Sequence, residues 1–366
     1  MNVCIIGDGL TSLSLAKNLI NKKINVHIYQ QKKVNNLPSS RTIGVAKNNL
    51  DFFKKEVLKL SKKDVWEIKK IEIYAEKLKD NKILTFENNK SDLFYMIKND
   101  NFYKLLNVTL LKSKFFKRIQ ITKDNFYVKL LIEKKYDLII NCDSNNSLSK
   151  KYFSNKIYKD YYNTAYTTIL KHEKLENSTA LQIFTKFGPI AFLPISSEET
   201  SVVCSLEIRN KGYSKSEVLD LIKNNNQKYK IKKILRVNSF PLKSSNLRNY
   251  YYKNILAFGD LLHKIHPLAG QGFNMTIRDI RILSEIIQSK IDLGIQLDSS
   301  IFSEFEKKTK HINLIFSNGI DFIYEFFNFD TKIKDKSLSK ILRYFGKNKK
   351  LTNTLIKLAD RGLIIE

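Results

Sequence analysis

Residues 259–279 read Gly259-Asp260-Leu261-Leu262-His263-Lys264-Ile265-His266-Pro267-Leu268-Ala269-Gly270-Gln271-Gly272-Phe273-Asn274-Met275-Thr276-Ile277-Arg278-Asp279. An apolar run, Ile255 to Phe258, leads into Gly259-Asp260, and an amphipathic helix is predicted to start near Phe273. A strand, a carboxylate at its C-terminal end and a glycine-rich turn onto a helix make a site for a polar, anionic, flat ligand. The glycines let the ligand approach the backbone. The helix start presents unpaired N–H groups and the positive end of a dipole. The carboxylate can accept hydrogen bonds from sugar-like hydroxyls.

A second glycine pattern opens the chain. Gly7-Asp8-Gly9-Leu10-Thr11-Ser12 is a Gly-x-Gly-x-x-Gly fingerprint with Ser12 in its third glycine position. It follows an apolar strand, Val3 to Ile6, and precedes a helix predicted over Thr11 to Ile20. A second strand is predicted over Ile24 to Tyr29. This is the βαβ context that gives the fingerprint its meaning. Gly7 and Gly9 would supply the tight turn and the approach to a pyrophosphate, and Ser12 is small enough for close helix–strand packing. The ribose-binding position at the end of the second strand holds Gln30. An amide bonds a hydroxyl more weakly than a carboxylate does, so Gln30 reads either as a ribose contact or as a solvated loop residue.

The stretch from Gly259 to Asp279 resembles the second flavin-binding motif of the FAD-dependent aromatic-ring hydroxylases, the single-component flavoprotein monooxygenases. Its spelling is nearest to the ubiquinone-biosynthesis hydroxylases, at Gly259, Asp260, His263, His266, Pro267, Ala269, Gly270, Gln271, Gly272, Asn274 and Asp279. Three further segments are similar to that family. Arg41-Thr42-Ile43-Gly44-Val45-Ala46 resembles a segment that runs along the flavin, which would place Arg41 at the flavin or substrate face. Asp143 and Ser147 match a segment that binds FAD and the nicotinamide cofactor, but its glycine is Ser144 here. A glycine there often marks a positive φ, at which Ser is strained. Phe184 and Gly188-Pro189-Ile190-Ala191-Phe192-Leu193-Pro194 match a ribbon that lines the substrate cavity.

The resemblance implies FAD as cofactor, with NAD(P)H as reductant, and dioxygen and a polyprenylated phenol as substrates. The oxygen would pass through a flavin C4a-hydroperoxide. It implies that Asp260 binds the ribityl chain and that backbone N–H groups around Gly270 to Gly272 face the flavin's pyrimidine edge. Pro267 would face the ring near the reacting carbon. Gly7, Gly9, Ser12, Gln30, Arg41, Asp143, Gly259, Gln271, Gly272 and Asn274 complete the expected cofactor contacts. Two other chemistries share these motifs: a prenyl-chain reductase, and a non-catalytic subunit of a quinone-synthesis assembly. His263 and His266 lack partner ligands, so no metal is expected.

Composition bounds the rest. The net charge of +28 comes from 64 basic and 36 acidic residues. The basic residues are mostly Lys scattered along the chain, and no aromatic–basic reading module accompanies them, so nucleic-acid binding is not expected. Cys4, Cys142 and Cys204 sit in or beside apolar runs with no disulfide or zinc spacing, which suits a reducing compartment. No apolar stretch is long enough to cross a bilayer. These features predict a cytoplasmic protein with peripheral membrane contact at most.

The pattern predicts an α/β fold: a discontinuous Rossmann-like FAD-binding domain (1–72, 95–155, 250–295), an inserted antiparallel β-sheet substrate domain (73–94, 156–249) and a helical C-terminus (296–366). Helices are expected over Leu50 to Leu60 and Leu93 to Leu106, paired strands at Ile71 to Tyr74 and Ile83 to Phe86, and several short strands over 107–140. In the tail, Leu338, Ile341, Leu342 and Phe345 share a helical stripe bordered by Lys336, Lys340 and Arg343. Such a helix can lie on an anionic membrane surface, pack on the body or meet a partner, including another ubiquinone-biosynthesis protein.

Overall fold

A computed structural model describes residues 1–31, 41–75, 82–87, 92–121, 127, 130, 132–133, 135–208, 212–266 and 272–332, with residues 323 and 326–332 as backbone alone. The tail from 333 lies outside the described residues. β1 (Asn2–Ile6) leads through the Gly7–Gly9 turn into α1 (Leu10–Asn21) and β2 (Asn25–Gln31). β3 (Thr42–Ala46) runs into α2 (Lys47–Glu56), followed by β4 (Trp66–Ile68), β5 (Lys70–Ala75), β6 (Lys82–Glu87) and β7 (Phe94–Lys98). Next come α3 (Asn99–Leu111), β8 (Phe116–Ile121), β9 (Leu138–Asn141) and α4 (Ser147–Tyr152). The middle of the chain holds β10 (Lys156–His172), β11 (Thr179–Thr185), β12 (Gly188–Pro194), β13 (Glu199–Glu207), α5 (Lys215–Asn224), β14 (Ile231–Ile234) and β15 (Asn238–Leu247). The chain continues through β16 (Tyr251–Tyr252), β17 (Ile255–Ala257), a 3-10 turn (Gly259–Leu261), β18 (His263–Lys264), α6 (Gly272–Asp292) and α7 (Ser300–Lys332).

The first sheet has the order β16-β17-β9-β1-β2-β8, and all its strands but β16 are parallel. Helices α1, α3 and α6 pack against it, so its strands are apolar without alternation; Val3, Cys4, Ile5 and Ile6 are all fully buried. From β1 the chain steps to β2 on one side, while β9 lies on the other. The sheet therefore has its topological switch point between β1 and β9, where a crevice opens at the C-terminal ends of the strands.

The second sheet has the order β18-β15-β10-β13-β12-β11-β5-β6, with β14 on β10. It is antiparallel apart from the β11–β5 pair. β5 and β6 pair as the sequence predicts. A bulge between Asp160 and Asn163 puts Tyr162 at φ 52° and bends β10 where α7 crosses it. A third, three-stranded sheet, β3-β7-β4, is antiparallel throughout.

Some local expectations change. The helix predicted over Leu93 to Leu106 is a strand from Phe94 to Lys98 and then a helix from Asn99. The run Phe94-Tyr95-Met96-Ile97 is too short and too uniformly apolar for periodicity to separate the two. Its pairing with both β3 and β4 decides the outcome. That helix runs on to Leu111, so the strands expected from residue 107 reduce to β8 and β9 among the described residues. α2 spans Lys47–Glu56 rather than Leu50 to Leu60. Its first turn is held by Asn49, whose amide donates to Asn274 Oδ1 at 3.0 Å.

Candidate functional site

The ends of β1, β9 and β17 meet at the switch point. Gly7, just past β1, has φ +108° and donates its N–H to the Tyr29 carbonyl at 2.8 Å. A β-carbon at Gly7 would lie 3.3 Å from Ser12 Oγ and 3.4 Å from the Asp143 nitrogen. The turn is thus wedged between α1 and the segment after β9. Gly9 is the N-cap of α1 at φ −73°, and a β-carbon there would meet nothing within 4 Å. Nothing in the fold itself demands a glycine at that position; the open space above it suits a bound group. α1 has no side-chain cap and no acidic residue in its first turn, so its N–H groups face the crevice uncompensated. Ser12 is buried beside Cys142, whose thiol burial pushes up to about 12 against the opposing effect of the Ser12 hydroxyl. Ser12 therefore packs helix against strand, as the missing glycine would.

The segment after β9 is built around Asn141. Its Nδ2 donates to Ser149 Oγ at 2.9 Å and its Oδ1 accepts from the Asp143 N–H at 3.1 Å and from Asn146 Nδ2 at 2.8 Å. Asn146 also caps α4 by accepting from the Ser149 N–H. The Asp143 carboxylate accepts from the Asn145 N–H at 2.9 Å, so part of it is committed to its own turn. Ser144 is exposed, and only Lys23, Tyr162 and Lys253 among the described non-glycine residues have positive φ. The strain expected at Ser144 is absent because the turn closes through side-chain amides instead.

Gly259 has φ +62°, and a β-carbon there would lie 2.6 Å from Thr11 Cγ2 on α1. Both the conformation and the contact require glycine. Asp260 follows in the 3-10 turn with its side chain exposed toward the crevice end. Asp143 and Asp260 both act on the Cys142 thiol, which places the two carboxylates on either side of it. Four residues on from Gly259, His263 enters β18, in register with Asn246 of the second sheet. The motif therefore bridges both sheets. His263 Nε2 is hydrogen-bonded to Asp279 Oδ2, and both side chains are buried. Asn313 Nδ2 approaches Asp279 Oδ1 at 3.4 Å, tying this pair to α7.

Pro267, Gly270 and Gln271 lie outside the described residues. Gly272 starts α6, with room for a β-carbon 3.8 Å from the Ile265 side chain. Asn274, expected to contact the cofactor, spends its side chain elsewhere. Its Oδ1 accepts from the Ala46 N–H at 2.8 Å and its Nδ2 donates to the Gly44 carbonyl at 2.9 Å. It clamps β3 to α6 and is 6% exposed, too enclosed for its side chain to serve a ligand as well. Arg41 begins β3 with an exposed side chain, and its carbonyl accepts from the Asn99 N–H. Gln30 ends β2 with its Oε1 buried and unpartnered.

His266 lies just before the undescribed 267–271 segment. It is 1% exposed, edge-on to Tyr161 at 4.7 Å and stacked on Tyr324 at 4.4 Å, and neither ring nitrogen has a partner. Burial, aided by Lys159, pushes its pKa down to about 3, so the ring is neutral. Among the described residues no group of three or more His, Cys, Asp or Glu side chains stands together. Nor is any described helix long and apolar enough to cross a membrane.

The residues present fit a dinucleotide. A positive-φ glycine turn, an uncapped helix start under open space and an orphaned acceptor at the end of β2 line one edge of the parallel sheet. The profile of the squalene epoxidase family matches residues 135–361, more than half of the chain. The chain belongs to the squalene epoxidase family. In sequence it is 25% identical over 241 residues to a mitochondrial ubiquinone biosynthesis monooxygenase COQ6 of Dictyostelium discoideum, covering 52% of this chain and 49% of that one. It is also 25% identical over 201 residues to the 3-demethoxyubiquinol 3-hydroxylase of Escherichia coli, covering 52% and 51%. The matches span about half the length of these relatives. In structure it superposes on the p-nitrophenol 4-monooxygenase PnpA of Pseudomonas putida with a TM-score of 0.76 at 13% identity, covering 98% of both chains. Klebsiella pneumoniae HpxO, solved with FAD and uric acid, gives 0.72 at 11% identity, covering 100% of this chain and 98% of that one. The squalene epoxidase family member described here thus shares the overall fold of flavoprotein monooxygenases.

Three residues that the sequence did not single out shape this site. Thr11 sets the requirement at Gly259, Asn141 organises the turn carrying Asp143, and Arg118 lies buried on β8 with two unpartnered donors. Only Arg118 carried a signal: it is one of nine arginines in a chain that uses Lys almost everywhere else.

Proposed function

We propose that this chain is an FAD-dependent monooxygenase. In this reading it uses NAD(P)H and dioxygen to hydroxylate the ring of a polyprenylated phenol on the way to ubiquinone. One oxygen atom enters the ring and the other leaves as water, with NAD(P)H supplying two electrons. The observation that supports this most is the convergence of Gly7, Asp143, Gly259 and Asp260 at the ends of three parallel strands, one on each side of the β1–β9 switch point and one at its tip.

FAD, when bound, supplies the activation of dioxygen and the transfer of one oxygen atom. The chain's own work is to bind, orient and exclude water. The N-terminus of α1 faces the pyrophosphate, with Gly9 leaving space for its approach. Asp260, exposed at the strand end, accepts hydrogen bonds from the ribityl hydroxyls. The segment from Pro267 to Gly272 takes the flavin ring, with Pro267 at its reacting face and Arg41 at the edge of the substrate space. β12, whose residues Pro189 to Pro194 are all buried, supplies an apolar wall that suits a greasy phenol and keeps water out. Membrane contact, where the phenol resides, and contact with other enzymes of the pathway belong to the same reading.

The purified protein tests the first step. It is expected to be yellow, or to become yellow on reconstitution, with flavin absorption that bleaches on adding NAD(P)H. A colourless protein that cannot be loaded with FAD rejects the enzyme. Lipid analysis of a deletion strain tests the substrate: lowered ubiquinone with an accumulated prenylphenol is expected, and an unchanged quinone pool rejects the pathway.

A further inference from the structure

The end of β2 lacks the carboxylate that a ribose diol ordinarily meets, yet its surroundings are not inert. Gln30 Oε1 is buried without a partner. On the neighbouring strand, Arg118 Nε and Nη2 are buried and also unpartnered. β2 and β8 run parallel, with Ile28 opposite Arg118 and Gln30 opposite Gln120. Residues two apart on a strand share a face, and register partners share it too. Gln30 and Arg118 therefore project from the same side of the sheet, one step apart along the diagonal. Tyr103 of α3 stands over this side, close enough to feel both the Asp8 carboxylate and the Arg118 guanidinium.

Leaving buried polar atoms unmatched costs about 1–3 kcal/mol each, and more for a charged group. A fold rarely keeps an orphaned acceptor and orphaned donors side by side unless something arrives between them. The missing group must offer a hydrogen to Gln30 and lone pairs to Arg118. A vicinal diol does both: one hydroxyl donates to the amide oxygen while the ribose oxygens accept from the guanidinium. A carboxylate performs only the first task, and in that position it would be drawn into an ion pair with Arg118.

We infer that Arg118 and Gln30 together form the adenosine-ribose subsite, with the guanidinium and amide dividing the work of the absent carboxylate. The inference rests on the reading of the crevice as an FAD site and assigns Arg118 to it.

The test uses adenine nucleotides on the flavin-free full chain, so that it reads binding at this end alone. ADP, 2′-deoxy-ADP and 2′,5′-ADP are titrated by calorimetry, with FAD and FMN in parallel. The wild-type chain is expected to bind ADP about tenfold more tightly than 2′-deoxy-ADP, the loss of one charge-assisted hydrogen bond. In Arg118→Met that discrimination should vanish, FAD binding should weaken and FMN binding should stay the same. Gln30→Leu should give the same pattern to a smaller degree. The flavin-free Arg118→Met protein should melt at or above the wild-type midpoint, since orphaned donors have been removed; a lower midpoint would assign Arg118 a structural role and overturn the inference. Discrimination that persists in Arg118→Met overturns it while leaving the FAD reading intact, as does tighter binding of 2′,5′-ADP than of ADP, which would make this a phosphate site. A wild-type chain that binds neither FAD nor ADP overturns the reading beneath it as well.

Discussion

Thr11 and Gly259 touch across the crevice: the methyl of Thr11 occupies the place, 2.6 Å away, where a β-carbon on residue 259 would be. The contact joins the first helix to the last parallel strand, so the two glycine motifs, some 250 residues apart, are one packed unit. Gly259→Ala should cost roughly 2–4 kcal/mol, from the left-handed backbone and the clash together. Thr11→Ala removes the clashing atoms but not the φ requirement. Chemical denaturation of the double variant should therefore recover part of the loss, leaving about 1–2 kcal/mol. Strict additivity of the two changes would mean that the residues do not meet.

Asn274 offers a second test, because its side chain serves the fold. Asn274→Ala leaves the Ala46 N–H and the Gly44 carbonyl buried without partners and releases Asn49. The expected loss is about 3 kcal/mol, read by urea unfolding. A variant of wild-type stability with weakened flavin binding would restore Asn274 to the cofactor contacts.

These two residues show what the sequence could and could not disclose. The parallel strands and their glycine turns were legible because buried strands are apolar runs and positive φ selects glycine locally. Asp260 was legible for the same reason, as the first residue past Gly259. Asn274 was misread because its partners are Gly44 and Ala46, some 230 positions away, and nothing local separates a clamp from a ligand contact. Ser144 misled in the opposite direction: the strain it suggested is relieved by Asn141 and Asn146, whose role appears only once the turn is closed. Phe94 to Lys98 looked helical because a short apolar run has no period to read, and its two strand partners come from elsewhere in the chain.

Asp260 separates binding from folding. Its side chain is exposed and outside the core, so Asp260→Ala should leave the flavin-free protein within about 0.5 kcal/mol of wild type. FAD affinity should fall about tenfold to a hundredfold, followed by the quenching of flavin fluorescence on binding. Asp260→Asn, which keeps one acceptor but not the charge, should fall between the two. Full flavin occupancy in Asp260→Ala would remove the residue from the site.

His266 makes stability depend on pH in a defined direction. Its folded pKa is pushed down to about 3, far below the ordinary 6.5, because the ring is buried between Tyr161 and Tyr324 and faces Lys159. Lys159 is itself paired with Asp321 and Glu325 of α7, and the Tyr161 hydroxyl also donates to Asp321. The unfolded chain binds a proton at His266 below about pH 6.5 and the folded chain does not. The contribution is therefore complete above pH 6.5 and is lost as the pH falls toward about 3, at no more than about 1.4 kcal/mol per pH unit. His266→Phe keeps an aromatic ring between the two tyrosines and has no proton to bind. Its unfolding free energy should be flatter than that of the wild type between pH 6.5 and 4. Parallel pH profiles for the two proteins would show that the imidazole is not held neutral in the folded state.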